Sequence, residues 1–125
     1  MAKHIIFLVL FSITTTAMAQ DSEGFKLEEL YAQAKEKGGN YLKFIDNDKL
    51  TSGIYQLEKG AVDNQRPHEW DEIYYILEGK ATLNVENESY EALPGVILFV
   101  KAKVDHTFVN IEEDLKVLVF FSKTE

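Results

Sequence analysis

The sequence predicts an all-β domain, a sandwich or barrel of short strands, with a single helix in front of it. Three observations predict this. Short apolar and β-branched runs recur from Tyr41 to Phe121. Turn-forming residues separate them at spacings of about 8–12 residues, as in sandwiches and barrels. Helical periodicity occurs once after the N-terminal apolar run, between Phe25 and Lys37.

The N-terminus carries Lys3, then an apolar run from Ile5 to Ile13 broken by Ser12, then Ala17-Met18-Ala19, a small-x-small pattern. These features predict a secretory signal peptide over residues 1–19 and a mature chain from Gln20, periplasmic or secreted and free of the membrane after cleavage. The apolar run falls well short of the ~20 residues a spanning helix needs. Residues 20–39 form a polar lead and the helix. Phe25, Leu27, Leu30, Tyr31 and Ala34 recur at helical spacing, Lys35 and Lys37 occupy the last turn, and Gly38-Gly39 ends it.

Residues 40–125 form the β domain. Tyr41 to Ile45 is the first strand, closed by Asp46-Asn47-Asp48, and Leu50 to Leu57 is the second, closed by Lys59-Gly60. Ile73 to Leu77 is the third, with a turn at Glu78-Gly79-Lys80. Ala81, Leu83 and Val85 then alternate with polar residues, as on a half-buried strand. Tyr90 to Leu93, Val96 to Val100, Thr107 to Asn110 and Leu115 to Phe121 complete the set, with Pro94-Gly95 as another turn.

Composition excludes several function classes. Thirteen basic residues against 21 acidic ones give a net charge of −8, and loss of Lys3 makes the mature chain more acidic still. Such a chain offers no basic surface for nucleic acid. The absence of cysteine excludes disulfides, a reactive thiol and a thiolate metal site.

The stretch RPHEWDEIYYILEG, Arg66 to Gly79, carries the chemistry. In an extended chain every second residue shares a face, so Arg66, His68, Trp70 and Glu72 would point together. His106, the other histidine of the mature chain, also stands before a strand. Two imidazoles and a carboxylate with further positions open form a facial site for a borderline divalent metal such as iron, manganese, zinc, nickel or cobalt.

The spacing resembles the cupin superfamily. Its first motif reads Gly-x5-His-x-His-x3/4-Glu-x6-Gly, and Gly60, Arg66, His68, Glu72 and Gly79 keep that spacing. Its second reads Gly-x5-Pro-x-Gly-x2-His-x3-Asn, and Gly95, Lys101, Lys103, His106 and Asn110 keep that one. Asp63, Gln65, Pro67, His68, Asp71, Glu72, Tyr74 and Tyr75 also resemble a cupin subset written Asp-x-Gln-x-Pro-His-x-x-Asp-Glu-x-Tyr-Tyr. The resemblance implies a small jelly-roll barrel with a metal inside, held by His68, Glu72 and His106. It implies a small-molecule substrate or ligand, and a homodimer formed through strand edges.

The departures from the family pattern matter. Arg66 replaces the first motif histidine, and a guanidinium cannot ligate a cation. Gln65, the nearest oxygen donor, is a candidate fourth ligand. Arg66 reads either as a cation at the barrel mouth or as a surface residue paired with Glu69 or Asp63. Lys101 and Lys103 replace the proline and glycine of the second motif, which alters the turn that aims His106. Trp70, Tyr74, Tyr75, Phe99, Phe108, Phe120 and Phe121 read mostly as core. The functional expectation is metal-dependent chemistry, dioxygenase- or isomerase-like, or binding of a small molecule in the barrel. The alternative is a non-enzymatic ligand-binding or structural barrel with a degenerate metal site. No catalytic base can be assigned.

Overall fold

The computed structural model describes residues 22–124, so the signal-peptide reading of residues 1–19 lies outside it. One helix, Leu27–Lys37 (α1), precedes six strands: Tyr41–Asp46 (β1), Leu50–Leu57 (β2), Glu72–Val85 (β3), Glu88–Ala92 (β4), Ile97–Val100 (β5) and His106–Ser122 (β6). Glu28 and Glu29 in the first turn of α1 and Lys35 and Lys37 in the last complement the helix dipole. The Gly38 N–H donates to the Ala34 carbonyl and closes the helix. Among the described residues no helix is long and apolar enough to cross a membrane.

The two longest strands correct the sequence reading. Glu78-Gly79-Lys80 does not reverse the chain, and Thr107–Asn110 and Leu115–Phe121 belong to one strand. The cause is pairing. β3 and β6 run antiparallel along their whole length, from Glu72 opposite Phe121 to Val85 opposite His106. The register shifts between Ile76 and Thr82, so the ribbon bends there instead of ending. Gly79 sits at φ +100°, and a Cβ on it would lie 2.4 Å from the Asp114 carbonyl oxygen. The glycine therefore marks a close backbone approach, not a turn.

The bent ribbon builds both walls of the barrel. β1, β2, the second half of β6, the first half of β3 and β5 lie side by side. The first half of β6, the second half of β3 and β4 form the opposing wall. Alternation along β3 turns Glu72, Tyr74 and Ile76 inward and Ile73 and Tyr75 outward. Tyr74, Ile76, Leu83, Phe108, Leu115 and Val117 fill the interior. Outside, α1 packs on β1 and β2, with Leu30 buried and Phe25 edge-on to Phe44 at 4.8 Å between ring centroids. Trp70, Tyr75 and Phe99 are exposed, which corrects the core reading for those three.

Gly79→Ala is expected to destabilise the chain by roughly 2 kcal/mol or more, because it combines a left-handed backbone with a backbone clash. Chemical denaturation at fixed pH checks this.

Candidate metal centre

Three segments bring the cluster together. Glu72 is the first residue of β3, hydrogen-bonded on one side to β5 and on the other to β6. Its side chain points into the barrel and is 1% exposed. His106 opens β6, across the ribbon from Val85. His68 lies in the loop before β3. Nδ1 of His68 is 3.1 Å and Nε2 of His106 2.6 Å from the same oxygen, Glu72 Oε1. The three ligand atoms lie within 4.8 Å of one another.

The donor set fits a divalent transition metal. Nδ1 of His106 donates to the Val104 carbonyl at 2.8 Å, the outer hydrogen bond that metal-binding histidines use to fix the tautomer and leave Nε2 for the ion. Glu72 Oε2 is buried and has no hydrogen-bond partner among the described residues. A buried carboxylate oxygen without a donor is costly, and a cation in the cluster would satisfy it.

Without a metal, protons link the same atoms. Burial disfavours the Glu72 carboxylate, but hydrogen bonds from His106 and His68 outweigh it and hold the pKa below the ordinary value of 4.5. Burial likewise opposes a charged His106. The hydrogen bonds to Glu72 and the Val104 carbonyl prevail and raise it above 6.5. Each group thus favours the charged form of the other, imidazolium on His106 and carboxylate on Glu72.

The loops that carry the histidines hold each other. The Lys103 N–H donates to the His68 carbonyl at 2.7 Å, and the Ala102 N–H donates to Asp71 Oδ1 at 2.8 Å. Lys103 adopts φ +67°, the left-handed conformation that glycine favours. The altered turn thus still aims His106 at Glu72.

Asp63 anchors the other side. Its carboxylate accepts from the Tyr55 hydroxyl at 2.5 Å, the Gln65 N–H at 3.2 Å, the Gln65 side-chain amide at 2.6 Å and the Phe108 N–H at 2.8 Å. This ties the His68 loop to the strand that starts with His106. No local pattern in the sequence gives Asp63 this role. Tyr74, a core residue by its sequence pattern, also reaches the cluster. Its hydroxyl donates to Gln65 Oε1 at 2.9 Å and sits 3.0 Å from His106 Nε2. Burial, then the charge of Glu72, pushes the Tyr74 phenol well above its ordinary pKa. Gln65 therefore lies beside the cluster, joined to it through the Tyr74 hydroxyl.

Strand parity does not explain His68. Residues 61–71 form an irregular loop that bends at Glu69 and Trp70, and Arg66 is exposed whereas Glu72 is buried. Among the described residues Arg66 makes no ion pair with Glu69 or Asp63. A cavity of about 570 Å³ opens over His68. Gln65, Tyr55 and Tyr74 line its buried end, and Trp70, Lys43 and Lys123 its rim.

Residues 53–121 match the cupin domain family, more than half of the chain. The chain belongs to the cupin family. An uncharacterised protein of Streptomyces coelicolor is 39% identical over 103 residues, which cover 82% of this chain and 98% of that one. A Thermus thermophilus protein, TT1209, has a TM-score of 0.63 at 24% identity, with 81% of this cupin and 97% of that chain covered. KdgF from a Halomonas species has a TM-score of 0.61 at 24% identity, covering 68% and 78%. The DMSP lyase DddQ from Ruegeria pomeroyi has a TM-score of 0.60 at 20% identity, covering 66% of this cupin and 47% of that chain. At these identities the structural likenesses establish the fold, and activity has to be argued from the site.

Two outcomes are expected. Asp63→Ala leaves the Phe108 N–H and the Tyr55 hydroxyl without their acceptor and destabilises this cupin by about 1–3 kcal/mol in chemical denaturation. In metal-free protein, the His106 contribution to stability is present below pH 6.5 and is lost as pH rises through its raised pKa. The Glu72 contribution is present above pH 4.5 and is lost as pH falls through its lowered pKa. Metal-free Tm should peak in mildly acidic buffer and decline towards alkaline pH, and Glu72→Gln should flatten that decline.

Proposed function

We propose that this cupin holds one divalent transition metal on His68, Glu72 and His106 and uses it to bind and polarise a small molecule in the cavity. The observation that carries the reading is the convergence of three ligand atoms around a buried carboxylate with a partnerless oxygen, beside an open cavity. Iron, manganese, zinc, nickel and cobalt all suit two imidazoles and a carboxylate. Such a set leaves the ion a Lewis acid with positions open to a substrate oxygen, which suits dioxygenase- or isomerase-like chemistry.

The chain's own residues supply orientation and protons. Tyr74, kept protonated by burial, presents its hydroxyl at the cluster and fixes Gln65 beside it. Asp63 is taken up by four donors and is not free to act as a base. Asp46 is tied to Lys43 and Lys123, and Glu69 is solvated at the opening, which together favour polarisation or binding over proton abstraction by a carboxylate. Arg66 in place of the first motif histidine favours the second reading, a non-enzymatic ligand-binding or structural barrel with a degenerate metal site.

The N-terminal apolar run and Ala17-Met18-Ala19 support export to the periplasm or outside the cell. Ile73, Tyr75, Ile97 and Phe99 expose an apolar face on β3 and β5, and among the described residues β5 pairs only with β3; this supports a homodimer.

Adding zinc, manganese, nickel or cobalt to chelator-treated protein should raise Tm. Stabilisation reaches about 2.7 kcal/mol at a hundredfold excess over Kd. His68→Ala and His106→Ala should each remove most of the shift. A Tm that no metal moves would contradict the metal reading. In sedimentation velocity, Phe99→Glu should shift a dimer towards monomer.

A further inference from the structure

The rim of the cavity carries a charge arrangement that the metal centre does not use. Lys43 and Asp46 come from β1, and Lys123 follows the end of β6. All three line the cavity. Lys43 Nζ donates to Asp46 Oδ2 at 2.7 Å, and Lys123 Nζ donates to Asp46 Oδ1. Lys123 Nζ also lies 5.7 Å from the centroid of the Trp70 ring. Its side chain is only 22% exposed, low for a lysine, because Asp46 and Trp70 hold it at the opening.

Two ammoniums share one carboxylate. Each ammonium has three donors, and Asp46 uses one from each. The trio keeps one positive charge and, among the described residues, several N–H groups without an acceptor, on a chain of net charge −8. The hydrogen bonds from Lys123 and Lys43 hold the Asp46 pKa down to about 2, so the carboxylate stays charged and the lysines stay in place. Glu69 also lines the rim, but it is the most solvated charge there and lies 4.0 Å from Lys103, so it offsets the trio weakly; its charge disfavours a doubly charged phosphate more than a singly charged acid. Between rim and cluster the walls include Tyr41, Val119 and Phe121, which with Trp70 at the rim suit a carbon skeleton.

We infer that the cavity takes a singly charged organic carboxylate, with its anionic end on Lys123 and Lys43, its apolar body against Trp70 and Phe121, and its far end towards His68. This rests on the small-molecule reading of the cavity and adds the ligand class.

Trp70 is the only tryptophan, so its fluorescence reports the cavity. Phenylacetate, 3-phenylpropionate and hexanoate would each be titrated against the matching amide, which keeps the shape and lacks the charge. The expected result is a saturable Trp70 signal with at least one acid, about tenfold or more weaker with its amide. Lys123→Met and Lys43→Met should each bring that acid close to its amide. Both lysines are partly exposed, so at least one variant should fold with unchanged Tm. No saturable signal with any acid, acid and amide binding alike, or full acid affinity in a folded lysine variant would each overturn the inference. The visible absorption of added cobalt(II), read in the same samples, tests the metal separately. A cobalt spectrum without acid preference sinks the ligand class alone, and acid preference without a cobalt spectrum sinks the metal reading alone.

Discussion

The constraint on which the rest depends is the burial of the Glu72 carboxylate. A charge sealed inside a barrel costs several kcal/mol unless other charges and donors compensate it. Glu72 cannot turn away, because its backbone is hydrogen-bonded between β5 and β6 and its side of β3 faces inward. Compensation must come to it. His106 arrives from the start of β6 and His68 from the loop, and both meet the same oxygen. The other oxygen remains without a partner among the described residues, and that remaining demand is what points to a cation.

The scaffold meets this demand through the bent β3–β6 ribbon. One strand supplies Glu72 at its first residue and the other supplies His106 at its first residue. Antiparallel pairing along a straight ribbon would hold those two ends far apart. The bend at Gly79, with Asp114 pressed against it, folds the ribbon so that both ends face one interior. Two clamps then set the loops. Lys103 and Ala102 hold the His68 loop from one side, and Asp63 holds it to Phe108 from the other. Metal affinity in such a site depends on these outer contacts as well as on the ligands.

Much of this was legible in the sequence. Short strands broken by turn residues pointed to a barrel, and the paired spacings around His68, Glu72 and His106 pointed to one cluster. What was not legible depends on pairing between distant segments. Gly79 reads locally as a turn, and only the approach of Asp114 makes it a bend. The alternation of Arg66, His68, Trp70 and Glu72 assumes an extended chain, whereas the loop bends at Glu69. Tyr74 reads as a core aromatic because nothing local reveals that its hydroxyl meets His106 and Gln65. Asp63 acts through a backbone N–H on a strand 45 residues away, beyond the reach of any local pattern.

The most direct test of the central claim is elemental analysis of the chain purified without chelator or affinity-column metal, beside His68→Ala and His106→Ala. About one transition metal per native chain is expected, lost from both variants while their far-ultraviolet circular dichroism stays that of the native barrel. A native chain without metal that takes up none when iron, manganese, zinc or nickel is supplied would contradict it. A variant that keeps the full metal content would contradict the ligand assignment.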